Sequence, residues 1–240
     1  MKLLLTNDDG IQAEGIAVLE RWAKSRGHQV VVVAPKSNYS GQSGAITIDK
    51  SLTVTQRTPG HWAVGGTPAD CVRIALAFLG YHPELVVSGI NHGYNLGFDT
   101  YASGTVGAAR MAVSRRIPAL ALSAEPDNWG HVAALLDLHG DSLIEAAQVE
   151  ASQAVVSVNF PAESGQRVAW GNLSDSRFED QLEWAEFDGT HHIVGLSCRT
   201  LPPADADGGT DARLVADGFT TLTRLPLQPQ TETVRLARSS

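Results

Sequence analysis

The sequence is poor in the features that mark secreted, membrane-spanning and disulfide-stabilised proteins. Only two cysteines occur among 240 residues, Cys71 and Cys198, and neither lies in a C-x-x-C spacing. This argues against a disulfide framework and against a thiolate metal site. The two cysteines are therefore expected to behave as small buried apolar residues. There is no apolar run of about 18 residues and no signal-peptide pattern at the start. We therefore expect a cytoplasmic, disulfide-free protein with no membrane partner.

Positive charge is also scarce. The chain carries 18 Lys and Arg against 26 Asp and Glu, for a formal net charge of -8 at pH 7, and no Lys/Arg run occurs. Proteins that bind the phosphate backbone present a clustered basic surface. A nucleic-acid polymer is therefore not expected as a partner.

Three common nucleotide and hydrolase motifs are absent. The sequence contains no G-x-x-x-x-G-K-[ST] loop, no G-x-G-x-x-G after a predicted strand and no G-x-S-x-G elbow. These absences remove support for nucleoside-triphosphate motors, dinucleotide enzymes and α/β-hydrolases.

Short apolar runs do alternate with helical patterns over the first 125 residues. This alternation predicts an α/β fold, with a Rossmann-like, mostly parallel sheet flanked by helices. Residues 45–64 are expected to form extra strands at a sheet edge. Main strands are predicted at residues 3–7, 29–34, 85–88, 119–123 and 154–159, and helices at 14–26, 67–80 and 131–147.

The second half of the chain has a less regular pattern. We expect a single domain over 1–240, in which residues 1–125 form the core that carries the site. Residues 126–240 would complete that core and supply an association arm. Residues 170–188 are polar and aromatic, and residues 202–211 have the composition of a turn-rich connector.

Two adjacent aspartates, Asp8 and Asp9, end the first apolar run in "LLLTNDDG". In an open parallel sheet, ligands bind in the crevice outside the carboxyl ends of the strands, which is where these carboxylates should lie. Neighbouring carboxylates repel, and a hard divalent cation would relieve the repulsion. The alternative is that one of them only caps the following turn.

Two later loops add neutral oxygen ligands. Ser40 lies in the glycine-rich "NYSGQSG" after the second strand, and Asn91 lies in "SGINHGYNLG" after the third main strand. A hydroxyl and an amide oxygen suit a hard cation without adding charge. A plain polar loop is the alternative for the first, and His92 lacks a second histidine at a zinc-ligand spacing.

A candidate anion site follows in "YASGTVGAARMA". Ser103, Gly104 and Thr105 open a helix of small residues, and free N–H groups at a helix start suit a phosphate. Asn95 lies at the same predicted crevice and would assist. An ordinary serine N-cap is the alternative for Ser103.

Five segments in order resemble the signature segments of the SurE (survival protein E) family of metal-dependent phosphatases. They are "LLLTNDDGIQAEGI", "SGQSGAIT", "GGTPADCV", "LVVSGINHGYNLG" and "YASGTVGAA", spread over residues 1 to about 123. Residues 208–225 are similar to the family's closing segment. Residues 125–203 match poorly, and "PKSNYSG" lacks the arginine and acidic residues often found before that serine.

The resemblance implies a 5'-nucleotidase or acid phosphatase acting on nucleoside monophosphates. It also implies one Mg²⁺ or Mn²⁺ held by Asp8, Asp9, Ser40 and Asn91, and homodimers or homotetramers that exchange the C-terminal part. On this basis we predict metal-assisted hydrolysis of a phosphomonoester. Asp8 and Asp9 are the predicted catalytic residues, and the phosphate would be bound by Asn95, Ser103, Gly104 and Thr105.

Two other classes of protein remain as alternatives. Phospho-receiver domains also carry an acidic pair after the first strand, but they need an acceptor aspartate where this chain has "SGIN". The other alternative is a catalytically silent or regulatory protein that binds metal or nucleotide on the same fold. Release of phosphate from nucleoside monophosphates would separate that class from an enzyme.

Overall fold

The computed structural model is built on a nine-stranded, mostly parallel sheet with helices on both faces. It describes residues 1–125, 129–150, 153–201 and 208–227, with the side chains at 177–178 and 198–201 outside that description. The first six residues of the predicted connector and the Cys198 side chain therefore lie outside it. In chain order the elements are β1 (Lys2–Thr6), α1 (Glu14–Ser25), β2 (Gln29–Pro35), β3 (Val54–Thr58), β4 (His61–Val64), α2 (Pro68–Ala77), β5 (Leu85–His92), α3 (Asp99–Ala102), α4 (Gly104–Ser114), β6 (Ala119–Ala124), α5 (Trp129–Glu150), β7 (Ala154–Phe160), β8 (Arg167–Trp170), β9 (Arg177–Phe187), β10 (His192–Leu201), α6 (Asp211–Ala216) and β11 (Phe219–Pro226).

The main sheet has the strand order β3-β4-β2-β1-β5-β6-β7-β11-β8. The six strands β4-β2-β1-β5-β6-β7, in their order across the sheet, pair in parallel. Strand β3 pairs antiparallel with β4, and β11 pairs antiparallel with β7. This confirms the predicted α/β class and its mostly parallel sheet. Strand β2 lies on one side of β1, and strand β5 lies on the other side. The direction in which successive strands are added to the sheet therefore reverses between β1 and β5.

The central strand β1 is buried on both faces. Leu3 and Leu5 join the core cluster under α1 and α5, while Leu4 joins the cluster under α2 and α4. All three side chains have no exposed surface. A strand covered on both faces is continuously apolar, as in "LLL", and this fixes where the polar residues after it emerge.

The predicted helix signals are present. Helix α2 begins with a capping box, in which the Thr67 hydroxyl accepts from the Asp70 N–H at 3.1 Å and Asp70 accepts from the Thr67 N–H at 3.2 Å. Pro68 occupies its first position. Helix α1 ends before Gly27, whose φ of +77° fits a glycine in the left-handed region.

The predicted edge strands are only partly present. Strands β3 and β4 do form the sheet edge, but residues 45–53 contain no strand. Their backbone is tied to α2 instead, because the Thr47 N–H and hydroxyl both donate to the buried Asp70 carboxylate. The Asp70 carboxylate thus binds the Thr47 backbone N–H, which a neighbouring β-strand would otherwise accept from.

Residues after 125 divide into two parts. Strands β7, β11 and β8 extend the main sheet and helix α5 packs on it, whereas β9 and β10 form a separate antiparallel hairpin. Several large apolar side chains on this hairpin are exposed. The association arm predicted for this half stays a prediction. Among the described residues, no helix has both the length and the apolarity to span a membrane.

Candidate active site

The candidate site lies where the strand order reverses, at the carboxyl ends of β1 and β5. Asp8 and Asp9 follow β1, and Asn91 is the penultimate residue of β5. Open α/β sheets bind ligands at such a reversal because the loops on either side leave a crevice. A cavity of about 560 Å³ opens there, lined by Asp8, Ser40, Gly41, Asn91, His92, Gly93, Tyr94, Asn95, Leu96, Asp99, Ala102, Ser103 and Glu125.

Asp8 is a buried carboxylate held by helix α4. Only 3% of the residue is exposed, and its Oδ1 accepts a short hydrogen bond from the Thr105 hydroxyl. Burial raises the pKa of Asp8 to about 6, with a further rise from Asp9, while the bonds from Thr105 oppose it. A charge this desolvated favours a cation or a proton beside it.

Asp9 is less buried and lies outside the cavity lining. Its Oδ2 accepts from the His92 backbone N–H at 3.1 Å, which links the β1 and β5 loops. Burial raises the pKa of Asp9, and this hydrogen bond opposes the rise. The two neighbouring carboxylates therefore concentrate negative charge at the point where the strand order reverses.

A turn directly after β1 fixes both aspartates. Asn7 closes it from both sides, since its Nδ2 donates to the Gly10 carbonyl at 2.8 Å and its Oδ1 accepts from the Gly10 N–H at 3.2 Å. Gly10 has a φ of +107°, which few L residues tolerate. Asn7 is thus a positioning residue that the sequence-based prediction did not assign.

The Ser40 loop is fixed against the segment after β1 and against helices α3 and α4. The Tyr39 N–H donates to the Asp8 carbonyl at 2.7 Å, and the Ser43 N–H donates to the Ala102 carbonyl at 2.8 Å. A Cβ on Gly107 would lie 2.0 Å from the Ser43 carbonyl oxygen, so only glycine lets the loop pack there. Ser40 itself is exposed and lines the cavity.

Asn91 presents an oxygen to the cavity. Its Nδ2 donates to the Gly93 carbonyl at 2.8 Å, so the amide oxygen is left for another partner. The neighbouring His92 is exposed and packs edge-on against Trp129, with ring centroids 6.1 Å apart. His92 is the one histidine in the described lining of this cavity, and its exclusion as a zinc ligand stays a prediction.

Asn95 is held by two residues from distant strands. Its backbone N–H donates to Asn159 Oδ1 at 2.9 Å, Asn159 Nδ2 donates back to the Asn95 carbonyl at 3.0 Å, and its own Nδ2 donates to the Ser123 hydroxyl at 2.7 Å. Asn159 and Ser123 are fully buried. Neither was predicted, and the only signal for them is a polar residue within an apolar strand.

The start of α4 faces Asp8 as well as the cavity. Ser103 lines the cavity and caps the helix by accepting from the Val106 N–H at 3.1 Å. A Cβ on Gly104 would lie 2.9 Å from that of Asp8, so glycine is needed for the close approach. Thr105 is fully buried and contacts Asp8 instead of lining the cavity. The phosphate role of these three residues stays a prediction.

The closing segment of the chain also reaches the site. Asp211 is buried at the start of α6, and its Oδ2 accepts from the Gly97 N–H at 2.9 Å. Its Oδ1 accepts from the Ser174 N–H at 2.8 Å. Asp211 lies within the part of the sequence that resembles the family's closing segment, but the sequence does not indicate this contact.

The oxygen donors at the site fit a hard divalent cation. Asp8, Ser40 and Asn91 line one cavity, and Asp9 is bound to the backbone beside it. Within the described part of the chain, no group of three or more His, Cys, Asp or Glu side chains could hold a metal. Carboxylate, hydroxyl and amide oxygens are the ligands that hard divalent cations prefer.

The fold and site define a class: a Rossmann-like α/β protein with an acidic pair and a helix start at the reversal of its sheet. Residues 3–180 match the family model for survival protein SurE, and this chain belongs to that family. A crystal structure of the SurE protein from Aquifex aeolicus is similar in fold, with a TM-score of 0.79 and 28% identity over 96% of this chain and 95% of that one.

Three similar proteins carry the name 5'-nucleotidase SurE. The one from Pseudoalteromonas atlantica is 34% identical over 94% of this chain and 92% of its own length. Those from Albidiferax ferrireducens and Variovorax paradoxus are 42% and 52% identical, over 67% and 55% of this chain. The matches to the last two span 65% and 52% of those relatives' own length.

Proposed function

We propose that this chain is a divalent-metal-dependent phosphomonoesterase that hydrolyses nucleoside 5'-monophosphates to nucleoside and phosphate. The observation that carries the proposal is the buried Asp8 carboxylate, with its raised pKa, in a cavity that also contains the neutral oxygen donors Ser40 and Asn91. The family's named 5'-nucleotidases support the reaction class.

The four proposed metal ligands are Asp8, Asp9, Ser40 and Asn91, and the proposed ion is Mg²⁺ or Mn²⁺. When bound, such an ion polarises a phosphoryl oxygen and lowers the pKa of bound water. Thr105 fixes the Asp8 carboxylate through its hydroxyl, and the His92 N–H fixes Asp9. One of the two aspartates would also take up the proton that the attacking water loses.

The phosphate would lie between Asn95 and the start of α4. Asn95 is rigid because two buried side chains hold it, and Ser103 keeps a hydroxyl proton after accepting from Val106. Donors fixed before the reaction stabilise charge that spreads over the phosphoryl oxygens. The helix start behind them adds a partial positive charge.

Association of copies into a homodimer or homotetramer through the C-terminal half belongs to the same proposal. The β9–β10 hairpin pairs with no other described strand, and its exposed apolar side chains include Leu182, Trp184 and Leu196. An isolated two-stranded hairpin is marginal in water, so contact with another copy would stabilise it.

A phosphatase screen tests the function. Phosphate release from a panel of nucleoside monophosphates and from p-nitrophenyl phosphate is measured after EDTA treatment and during titration with Mg²⁺, Mn²⁺ or Co²⁺. The proposal expects activity that EDTA removes and a divalent ion restores. Background release with every metal would overturn it and would favour a catalytically silent binding protein.

A further inference from the structure

Two aromatic rings lie exposed beside the candidate site. Phe98 and Tyr101 stack, with ring centroids 6.1 Å apart and planes at 28°, yet 56% and 55% of these residues are exposed. Aromatic side chains contribute to interfaces through the large area that they bury and through offset-stacked or edge-to-face ring pairs. A stacked pair that remains open to solvent therefore has capacity for a further flat partner.

The pair lies at the rim of the candidate cavity. Asp99, Ala102 and Ser103 line the cavity, and Phe98 and Tyr101 each come one position before a lining residue in the turn of α3. Neither ring is part of the cavity lining itself, so both remain available beside it.

The backbone of this turn is fixed from two sides. The Phe98 N–H donates to the Ser176 carbonyl at 2.9 Å, and a Cβ on Gly97 would lie 2.6 Å from that same oxygen. On the other side, the Ser43 hydroxyl donates to the Tyr101 carbonyl at 2.6 Å. The rings are therefore presented from a rigid turn, so ordering them on binding would lose little conformational entropy.

Arg110 holds the second ring. Its guanidinium carbon lies 5.3 Å from the Tyr101 ring centroid, within the range of a cation–π contact. Arg110 is half-buried, and within the described residues no carboxylate is recorded as its salt-bridge partner. The cation thus braces the aromatic surface without neutralising a neighbouring acid.

We propose that Phe98 and Tyr101 form the stacking surface for the base of the nucleotide substrate, braced by Arg110. This rests on the proposed function, because the phosphate of that nucleotide would occupy the adjacent cavity. A nucleobase fits the open face of a stacked pair, and stacking accepts every base because each has a π face. The surface therefore selects nucleotides over phosphate esters without a base.

The experiment compares adenosine 5'-monophosphate with ribose 5-phosphate, which keeps the sugar and phosphate but lacks the base. For Phe98→Ala and Tyr101→Ala, the ratio of kcat/KM for the two esters is expected to fall about 10-fold, mostly through KM for the nucleotide. Phe98→Tyr should retain the ratio and Phe98→Leu should lose it, since bulk without a π face does not stack. Phe78, which directly follows α2, is 65% exposed, and Phe78→Ala is the matched control. This variant should leave the ratio of kcat/KM for the two esters unchanged.

Calorimetric binding of the same two esters separates this proposal from the proposed function. If the wild type hydrolyses neither ester, the function fails, but a loss of nucleotide affinity of about 10-fold in the two alanine variants still supports the stacking surface. An unchanged ratio and unchanged affinity in both variants overturn it. If those variants also shift the oligomeric state in sedimentation, the rings are a contact between copies.

Discussion

The site rim, meaning Asp8, Asp9 and the residues that hold the site side chains, has the opposite burial pattern to the β9–β10 hairpin. At the rim, polar groups such as Asp8, Asn95 and Asn159 are buried, and each is held by a hydrogen bond. On the hairpin, apolar groups such as Leu182 and Leu196 are about two-thirds exposed. The buried charge of Asp8 and the exposed apolar surface of the hairpin are both unfavourable in the chain alone. A bound cation would relieve the first, and a protein surface the second.

The largest effect is expected from removing one charge at the rim. Asp8→Asn and Asp9→Asn should each lower metal-dependent kcat/KM by roughly 1,000-fold or more, because each removes a charged oxygen from the proposed metal site. Phosphate release with Mn²⁺ measures this, and far-ultraviolet circular dichroism checks the fold. Asp137→Asn, an exposed carboxylate on α5, is the control and should keep full activity. Full activity in both rim variants would remove the metal assignment.

A pH-dependent effect on stability comes next. The pKa of Asp8 is about 6 in the folded, metal-free chain, above its ordinary value of 3.8. The folded state therefore binds this proton more tightly, so the group's contribution to stability is complete below pH 3.8 and is lost as the pH rises through 6. Bound Mn²⁺ should reverse that loss, with a stabilisation roughly 1–3 kcal/mol larger at pH 8 than at pH 5.

Thermal melts with and without Mn²⁺ at the two pH values measure this difference. Asp8→Asn should be more stable than the wild type without metal at pH 8, and should show little of the metal effect. An equal rise in Tm at pH 5 and pH 8 in the wild type would contradict the proposed coupling between metal and proton.

A smaller effect is expected one layer behind the rim. Ser123→Ala removes the acceptor for Asn95 Nδ2, which should lower kcat/KM about 10-fold through misplacement of the amide. The free energy of unfolding should change by about 1 kcal/mol. Ser157→Ala is the matched control, because Ser157 is equally buried on β7 and its hydroxyl has no recorded partner among the described residues. Equal losses in both variants would indicate a general packing effect.

The smallest effect on folding is expected on the hairpin. Leu182 and Leu196 are paired in register, so replacing both with Thr keeps strand propensity and removes exposed apolar surface. The free energy of unfolding of one chain should change by less than about 0.5 kcal/mol. Analytical ultracentrifugation should nevertheless show a smaller assembly. Val149→Thr, at an 84% exposed apolar position on α5, should leave the assembly unchanged.

Two other results would change this account of the hairpin. A loss of several kcal/mol in the double variant would mean that the hairpin packs on its own chain. An unaltered assembly would remove its proposed part in association.

The sequence predicts local features of the fold well. The leucines of β1 predict a buried strand because a strand covered on both faces is continuously apolar, and this places Asp8 and Asp9 at the crevice. The capping box of α2 is equally local, since Thr67 and Asp70 are three residues apart. Each signal depends on neighbours in sequence, so no tertiary information is needed to interpret it.

Contacts between distant residues could not be predicted in the same way. Asn95 and Asn159 are 64 residues apart, and Gly97 and Asp211 are 114 apart, so no local pattern links either pair. Thr105 shows a second limit, because a hydroxyl at a helix start fits both a phosphate and a carboxylate. Only its burial against Asp8 shows the contact that it makes.

The position of Asp211 in the chain bears on the order of events during synthesis. This carboxylate accepts from Gly97 and Ser174, so the turn that carries Phe98 and Tyr101 lacks this acceptor until α6 has been made. Strands β1 to β7 all leave the ribosome earlier. A nascent chain therefore carries the paired aspartates well before the segment that adds Asp99 and Ser103 to the cavity lining has its last acceptor, so the pocket is completed late in synthesis.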